Sequence, residues 1–335
     1  MYWFEFFASA AVIIFAGTRL TVCADRIGDE LHIGKVWIGV ILLGVATSLP
    51  EAITSLTAII SLQANDLAIG NLLGSNSFNP MIIVVMDVLY RQGSVTNAVH
   101  PKESHKVSAG FAMALAFLVI FDIIFNRMFP AFHFGPISIG GALIAVFYFY
   151  GVRRLWKLGA GDSVISSVKA GLVKEGVSIQ WIWVQFAVST AFVIAGAMWM
   201  AKSADTIAFE TGLGRTFVGS IFLAIATSLP ELVVSLSALK LREFDLAIGN
   251  IFGSNMVNMF ILFICGLFYP ARPILATVSP THIFTAALSI LLVYVAIRGI
   301  FERNKKTVLG MGWDSIIMIL LFIAGTSCLY SARGL

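Results

Sequence analysis

The chain has 335 residues, of which 59% are hydrophobic and only 12% are charged, and its mean hydropathy is +0.92. A soluble domain carries about a quarter charged residues, so this composition excludes an ordinary water-soluble protein. The net charge of +4 does not indicate a nucleic-acid partner, because the basic residues lie between apolar runs, where membrane orientation signals occur.

Ten apolar runs divide the chain, and each is long enough to cross a hydrocarbon core of about 30 Å as a helix of about 20 residues. The predicted spans are 2–23, 36–62, 66–90, 107–126, 134–152, 180–203, 216–240, 245–269, 281–299 and 313–331. The runs are too long for strands and lack period-two alternation, so no strand is predicted. The sequence therefore predicts an all-α membrane protein with ten transmembrane helices.

Two motifs occur twice. Ala-Thr-Ser-Leu-Pro-Glu occupies residues 46–51 and returns at 226–231, an offset of 180. On the next span, Asp-Leu-Ala-Ile-Gly-Asn, followed by Gly-Ser-Asn and a further Asn, occupies 66–79 and returns at 245–258, an offset of 179. Equivalent points are five spans apart, and because five is odd the second half must be inverted in the membrane. Inverted repeats are common in secondary transporters, whose ion site lies near the midplane where the halves meet.

These repeats predict a first five-helix repeat at 1–153, a cytoplasmic linker at 154–179 and a second, inverted five-helix repeat at 180–335. Of the 22 Lys and Arg residues, sixteen lie in loops after odd-numbered spans and five in the other loops, with Arg19 inside the first span. The positive-inside rule then places both termini outside and the linker in the cytoplasm. We expect a multi-pass protein of the cell membrane (the inner or plasma membrane). The lipid bilayer is its expected surrounding, and no protein partner is inferred.

Each copy of the first motif places a carboxylate, two hydroxyls and a proline inside an apolar span. An ionisable group at that depth is costly and indicates function. On a helix, Thr47 and Ser48 point to the same side as Glu51, and the same spacing is found at Thr227, Ser228 and Glu231. A proline leaves the carbonyl four residues earlier without its donor, which predicts a broken helix that lines a cavity. Carboxylate, hydroxyl and carbonyl oxygens are the ligands that Ca²⁺ prefers.

The second motif adds a polar stripe to the next helix in each half. The stripes are Asn71, Ser75 and Asn79, and Asn250, Ser254 and Asn258. Glycines at the same spacing let helices approach closely. Four helices, two from each half, are therefore predicted to gather Glu51, Glu231, Ser75, Ser254, Asn79 and Asn258 around one centre. Any single hydroxyl or amide of this set has an alternative role, because Ser, Thr and Asn in spans often do no more than bond neighbouring helices.

The two carboxylates supply a charge of −2, which matches one divalent cation or two monovalent cations and suggests exchange at a shared site. The paired ATSLPE and GNxxGSNxxN motifs resemble the α-repeats of the cation/calcium exchanger superfamily, close to its sodium/calcium branch. This resemblance implies a ten-helix inverted-repeat fold and electrogenic exchange, typically of three Na⁺ for one Ca²⁺, with no cofactor beyond the transported ions. The metal ligands that it implies are Thr47, Ser48, Glu51, Ser75, Asn79, Thr227, Ser228, Glu231, Ser254 and Asn258.

The chain departs from the family pattern at Asn258, where potassium-dependent members carry Asp, and this argues against K⁺ co-transport. The family's motif often begins with Gly where Ala46 and Ala226 stand. A proton-coupled antiporter for Ca²⁺ or another divalent ion is the main alternative, and a passive channel is a second. An enzyme is not predicted, because the five histidines lie in loops or at span edges and no H-E-x-x-H pattern or activated nucleophile is present.

Overall fold

The computed structural model describes residues 2–90, 93–130, 133–166, 178–210, 219–269, 272–303, 307–308 and 310–332. In this part of the chain there are ten long helices, α1 to α10. In chain order they are Tyr2–Glu30, Lys35–Ile60, Asn65–Tyr90, Glu103–Met128, Ile139–Ser166, Ile179–Glu210, Gly219–Lys240, Phe244–Leu267, Thr281–Glu302 and Trp313–Ala332. Each overlaps one predicted span. Seven of these helices, counted over the described residues, are long and apolar enough to cross a membrane.

The helices that carry the two motifs lie at the centre of the fold. All six pairs among α2, α3, α7 and α8 are in contact. Helix α1 packs along α6 and also contacts α7, while α4 packs against α5 and α9. The prediction that two helices from each half come together is therefore confirmed by the packing.

Helix α2 is irregular at its beginning. Its first turn, Lys35–Trp37, is α-helical, Ile38–Leu43 is π-helical, and Gly44–Ile60 is α-helical again. The predicted break at the proline is wrong, since Pro50 lies inside α2 and Pro230 inside α7 without ending either helix. A proline removes one backbone hydrogen bond and tends to kink a helix, but the bonds on either side hold the turns together.

Two short β-hairpins contradict the prediction that the chain has no strands. In the first, β1 (His133–Phe134) pairs antiparallel with β2 (Ile137–Ser138). In the second, β3 (Thr307–Val308) pairs in the same way with β4 (Met311–Gly312). Strands of two residues are too short to leave an alternating pattern in the sequence. Each hairpin directly precedes the fifth helix of its half.

Helix α5 is longer than the predicted span at 134–152. It begins at Ile139, after the hairpin, and continues to Ser166, well into the predicted linker at 154–179. The first part of the predicted linker, 154–166, therefore continues this helix. Residues 167–177 lie outside the described part of the chain.

Backbone-to-backbone contact joins α2 to α8 through glycines. A Cβ atom added at Gly253 would lie 2.3 Å from Val40 O, and one at Gly249 would lie 2.6 Å from Val36 O. The predicted close approach is thus confirmed for the second-half glycines. It does not hold for the equivalent Gly74, where no atom of the described residues lies within 4 Å of the added Cβ. The helix pair α2–α8 is therefore in backbone contact at Gly249 and Gly253.

Candidate functional site

The ten predicted ligands all lie in the interior, on the four central helices. None exposes more than 1% of its surface. Helix α2 carries Thr47, Ser48 and Glu51, α3 carries Ser75 and Asn79, α7 carries Thr227, Ser228 and Glu231, and α8 carries Ser254 and Asn258. Burying so many polar groups in an apolar protein is costly unless each finds a partner.

Glu231 receives hydroxyl groups from both halves of the chain. Ser48 Oγ donates to Glu231 Oε1 at 3.4 Å. Thr47 and Ser254 also interact with this carboxylate, and their hydroxyl oxygens lie 3.1 Å apart. The carboxylate of one motif copy is therefore solvated by residues of the other copy.

Glu51 is connected to the second half through a chain of hydroxyls. Ser75 Oγ donates to Glu51 Oε1 at 3.4 Å, and Ser228 Oγ donates to Ser75 Oγ at 3.3 Å. Glu51 and Glu231 also interact electrostatically with each other. Two like charges held close together in a buried site repel unless a cation or a proton compensates them.

Equivalent residues make equivalent contacts across the interface between the halves. Thr47 Oγ1 donates to Asn250 Oδ1 at 3.3 Å, and Thr227 Oγ1 donates to Asn71 Oδ1 at 3.5 Å. Thr47 and Thr227 differ by 180 positions, and Asn71 and Asn250 by 179, which are the offsets of the sequence repeat. These contacts therefore form a reciprocal pair.

The amides of the second motif form another reciprocal set. Asn79 Nδ2 donates to Asn255 Oδ1 at 2.9 Å, and Asn258 Nδ2 donates to Asn76 Oδ1 at 3.0 Å. Each predicted amide ligand is thus held by an asparagine of the opposite half.

Four oxygens of the predicted ligands have no hydrogen-bond donor among the described residues. They are Glu51 Oε2, Asn79 Oδ1, Glu231 Oε2 and Asn258 Oδ1. These atoms are buried, and they form two pairs of equivalent positions in the two halves. Leaving a buried acceptor unsatisfied costs about 1–3 kcal/mol, and more for a charged group. A hard cation is a suitable partner for such a set of carboxylate and amide oxygens.

Two pairs of titratable groups, each a histidine and an aspartate, lie at the ends of helices rather than at this centre. His282 Nε2 lies 3.0 Å from Asp66 Oδ1, and His105 Nε2 lies 3.3 Å from Asp245 Oδ1. Among the described residues, no group of three or more His, Cys, Asp or Glu side chains is arranged to hold a metal. The central site therefore offers carboxylates supplemented by neutral oxygens, without thiolate or imidazole.

Four polar residues that support the site were not among the ligands predicted from the sequence, although Asn71 and Asn250 belong to the predicted polar stripes. Asn71 Nδ2 donates to Ser55 Oγ and Asn250 Nδ2 donates to Ser235 Oγ, both at 3.1 Å. The other two residues are Asn76 and Asn255, described above. All four recur at the repeat offsets, and this recurrence was the available signal.

Comparisons with known proteins agree with this geometry. The sequence profile of the family described as "Sodium/calcium exchanger protein" matches residues 1–156 and 181–331. The chain is 26% identical over 338 residues to sodium/calcium exchanger MaX1 of Methanosarcina acetivorans, covering 90% of this chain and 93% of that protein. It is 27% identical over 252 residues to inner membrane protein YrbG of Escherichia coli, covering 75% and 74%.

The fold is also similar to that of a solved protein. A structure of the sodium-calcium exchanger NCX_Mj, soaked with 10 mM Na⁺ and zero Ca²⁺, superimposes with a TM-score of 0.73. The match covers 98% of this chain and 99% of that chain, at 20% sequence identity. The similarity shows that the two chains share a fold.

Proposed function

Because this chain belongs to the sodium/calcium exchanger protein family, we propose that it is a secondary antiporter that exchanges Na⁺ for Ca²⁺. It is a multi-pass membrane protein of that family, and its predicted orientation has both termini outside and the 154–179 linker in the cytoplasm. The transported ions bind at the centre of the four motif helices. The ligands are the ten residues described above.

The observation that carries this proposal is the set of four buried oxygens without donors. Glu51 Oε2 and Glu231 Oε2 come from the two carboxylates, and Asn79 Oδ1 and Asn258 Oδ1 come from the two amides. All four belong to the duplicated motifs. A cation bound here satisfies the oxygens and balances the two negative charges at the same time.

Charge balance favours exchange over one-way passage. One Ca²⁺ neutralises Glu51 and Glu231, and two Na⁺ do the same. Without a cation, the site holds two buried carboxylates that repel each other. Changing the access of the empty site from one face of the membrane to the other is therefore costly. A carrier that changes its access only when the site is loaded must return with one ion after delivering the other, which is antiport.

The reciprocal contacts support an inverted repeat as the basis of alternating access. Thr47 meets Asn250 as Thr227 meets Asn71, and Asn79 meets Asn255 as Asn258 meets Asn76. Two inverted halves around one site allow the same motion to open either face.

The proposal is tested by ⁴⁵Ca²⁺ uptake into proteoliposomes that contain the purified protein. An imposed Na⁺ gradient is expected to drive uptake, and an ionophore that collapses the Na⁺ gradient is expected to abolish it. Empty liposomes serve as the control for leakage. Uptake that follows an imposed pH gradient and ignores Na⁺ would replace this function with the proton-coupled alternative, and uptake that needs neither gradient would indicate a passive pathway.

A further inference from the structure

Two asparagines behind the proposed ligands form a closed network across the two halves. Asn76 Nδ2 donates to the backbone oxygen of Asn255 at 3.0 Å, and Asn255 Nδ2 donates to the backbone oxygen of Asn76 at 3.1 Å. Both side chains are 1% exposed or less. Each of the two then accepts a hydrogen bond from a proposed ligand of the opposite half, Asn258 or Asn79.

A proline explains why one of these backbone oxygens is available. In an α-helix the carbonyl of residue i accepts from the N–H of residue i+4. Four residues after Asn76 stands Pro80, inside α3, and proline has no N–H. The Asn76 carbonyl is therefore free to accept from Asn255 Nδ2, and it also accepts from Ser289 Oγ at 3.2 Å.

The network dictates which way each amide faces. A backbone oxygen can only accept, so the NH₂ groups of Asn76 and Asn255 must point at the opposite backbone. Their Oδ1 atoms then face the ligand amides and require a donor, because two facing carbonyl oxygens would repel. Asn79 and Asn258 meet this requirement with Nδ2, and this leaves the Oδ1 atom of each without a protein donor.

We propose that Asn76 and Asn255 are positioning residues of the ion site, each acting through the asparagine ligand of the opposite half. Asn76 holds Asn258 with its carbonyl oxygen available to the cation, and Asn255 does the same for Asn79. The inference rests on the proposed function, since it concerns how the same site binds Ca²⁺. Outer groups that orient metal ligands typically contribute 10–100-fold to metal affinity.

The test measures equilibrium ⁴⁵Ca²⁺ binding to purified protein in detergent, without Na⁺. Asn76→Ala is expected to raise the Kd for Ca²⁺ by about 10–100-fold. The matched control is Ser77→Ala, a neighbouring buried hydroxyl on α3 that donates to the backbone of Leu73 and Thr285. The control is expected to keep the wild-type Kd.

A double-mutant cycle separates positioning from a general structural effect. Asn76→Ala is expected to add little to the loss already caused by Asn258→Ala, because it acts through Asn258. When Asn76→Ala is combined with Asn79→Ala, the fold-losses of Ca²⁺ affinity in the two single variants are expected to multiply, because Asn79 is held by Asn255. Equal coupling to both ligands, or a wild-type Kd in Asn76→Ala, would overturn the proposal.

Folding is checked by size-exclusion chromatography and thermal unfolding without Ca²⁺. If Asn76→Ala does not fold, Asn255→Ala is tested in its place. It is expected to add little to the loss of affinity caused by Asn79→Ala, through which it acts, and to multiply the loss caused by Asn258→Ala. Failure of both single variants to fold would also overturn the proposal, because the pair would then hold the fold rather than orient ligands. A wild-type protein that binds no Ca²⁺ would contradict the proposed function itself.

Discussion

Ser48, in the first copy of the duplicated motif, donates its hydroxyl hydrogen to Glu231, in the second copy, across 3.4 Å. The carboxylate of one half is thus solvated by the other half. Glu51 is connected to the second half less directly, because it accepts from Ser75 of its own half and Ser75 accepts from Ser228 of the other half. Neither copy of the motif surrounds its own glutamate with a complete set of oxygens, so each half needs the other to form a site.

Replacing either glutamate is expected to abolish exchange. Glu51→Gln or Glu231→Gln leaves a single negative charge to balance Ca²⁺, and an uncompensated buried charge costs about 3–5 kcal/mol. Since about 1.4 kcal/mol corresponds to a factor of ten, Na⁺-driven ⁴⁵Ca²⁺ flux should fall by at least about 100-fold. Glu302→Gln, which removes an exposed carboxylate at the end of α9, should keep the flux. A near wild-type rate in either glutamine variant would remove that glutamate from the site.

Alanine substitutions at two equivalent glycines, Gly253 and Gly74, are expected to affect stability differently. At Gly253 the new Cβ would lie 2.3 Å from Val40 O, so Gly253→Ala should destabilise the protein by about 1–3 kcal/mol, as overpacking does. At Gly74 no described atom lies within 4 Å, so Gly74→Ala should be neutral or stabilise α3 by about 0.5–1 kcal/mol. Thermal unfolding in detergent measures both. Equal losses of stability in the two variants would contradict this difference in packing around the two glycines.

A carboxyl group at the end of the bundle is expected to destabilise the protein at neutral pH. Burial raises the pKa of Glu243, and the charges of Asp25, Asp29 and Asp245 raise it further, while Lys35 opposes them. Because the folded-state pKa lies above the unfolded value, the folded state binds this proton more tightly. The penalty is therefore present above the folded-state pKa and is lost as the pH falls through it.

Glu243→Gln removes that penalty. The variant should be more stable than the wild type at neutral pH, and the difference should shrink as the pH falls towards 4.5, the ordinary pKa of a glutamate side chain. Thermal unfolding of the two proteins over a pH series measures this difference. A difference that grows on acidification would show that the charged form of Glu243 is stabilised by its surroundings.

The positions of the ten helices and of the central residues were predictable because their signals are local. An apolar run long enough to span a membrane needs no partner to be recognised, and a glutamate such as Glu51 inside such a run is conspicuous. The duplication then indicated that Glu51 and Glu231 meet. The additional turns at the ends of α1 and α5 escaped prediction because polar residues there do not prevent a helix from extending beyond the hydrocarbon core.

The supporting network was not predictable because it depends on contacts between distant residues. Asn76 looks like any other polar residue of a repeated motif, and only the fold shows that it contacts Asn255 and Asn258. The proline at Pro80 was visible, but its consequence depends on which donor replaces the missing N–H. The hairpins before α5 and α10 were missed for a different reason, since two-residue strands carry no periodicity.

Cysteine labelling is expected to confirm the predicted orientation. Gln63→Cys, in the turn between α2 and α3, should react with a membrane-impermeant maleimide from outside, and Lys169→Cys should react only from the cytoplasm. The background is a variant without Cys328, because Cys23 and Cys265 are buried and Cys328 is exposed. The predicted orientation follows from the excess of Lys and Arg in loops after odd-numbered spans. Labelling of both positions from the same face would contradict the predicted topology.

The choice of coupling ion is expected to depend on the amide at Asn258. Its Nδ2 donates to Asn76 Oδ1 at 3.0 Å. An ionised Asp at this position has no proton to donate, so its oxygen would face the side-chain oxygen of Asn76, Oδ1. A protonated Asp restores the donor. The wild-type site, with Glu51 and Glu231 as its carboxylates, should exchange Na⁺ for Ca²⁺ without K⁺.

Asn258→Asp should make the exchange sensitive to pH or to K⁺, because a third carboxylate adds a charge that a proton or another cation can neutralise. The measurement is ⁴⁵Ca²⁺ flux in proteoliposomes with Na⁺, K⁺ and pH varied independently. Asn79→Asp, the equivalent position in the first half, should show the same change. Asn65→Asp serves as the control, because it adds a charge at the beginning of α3, where Asn65 bonds Thr277, and it should leave the ion dependence unaltered. Wild-type flux that disappears without K⁺ would contradict the assignment of Asn258 as a neutral ligand.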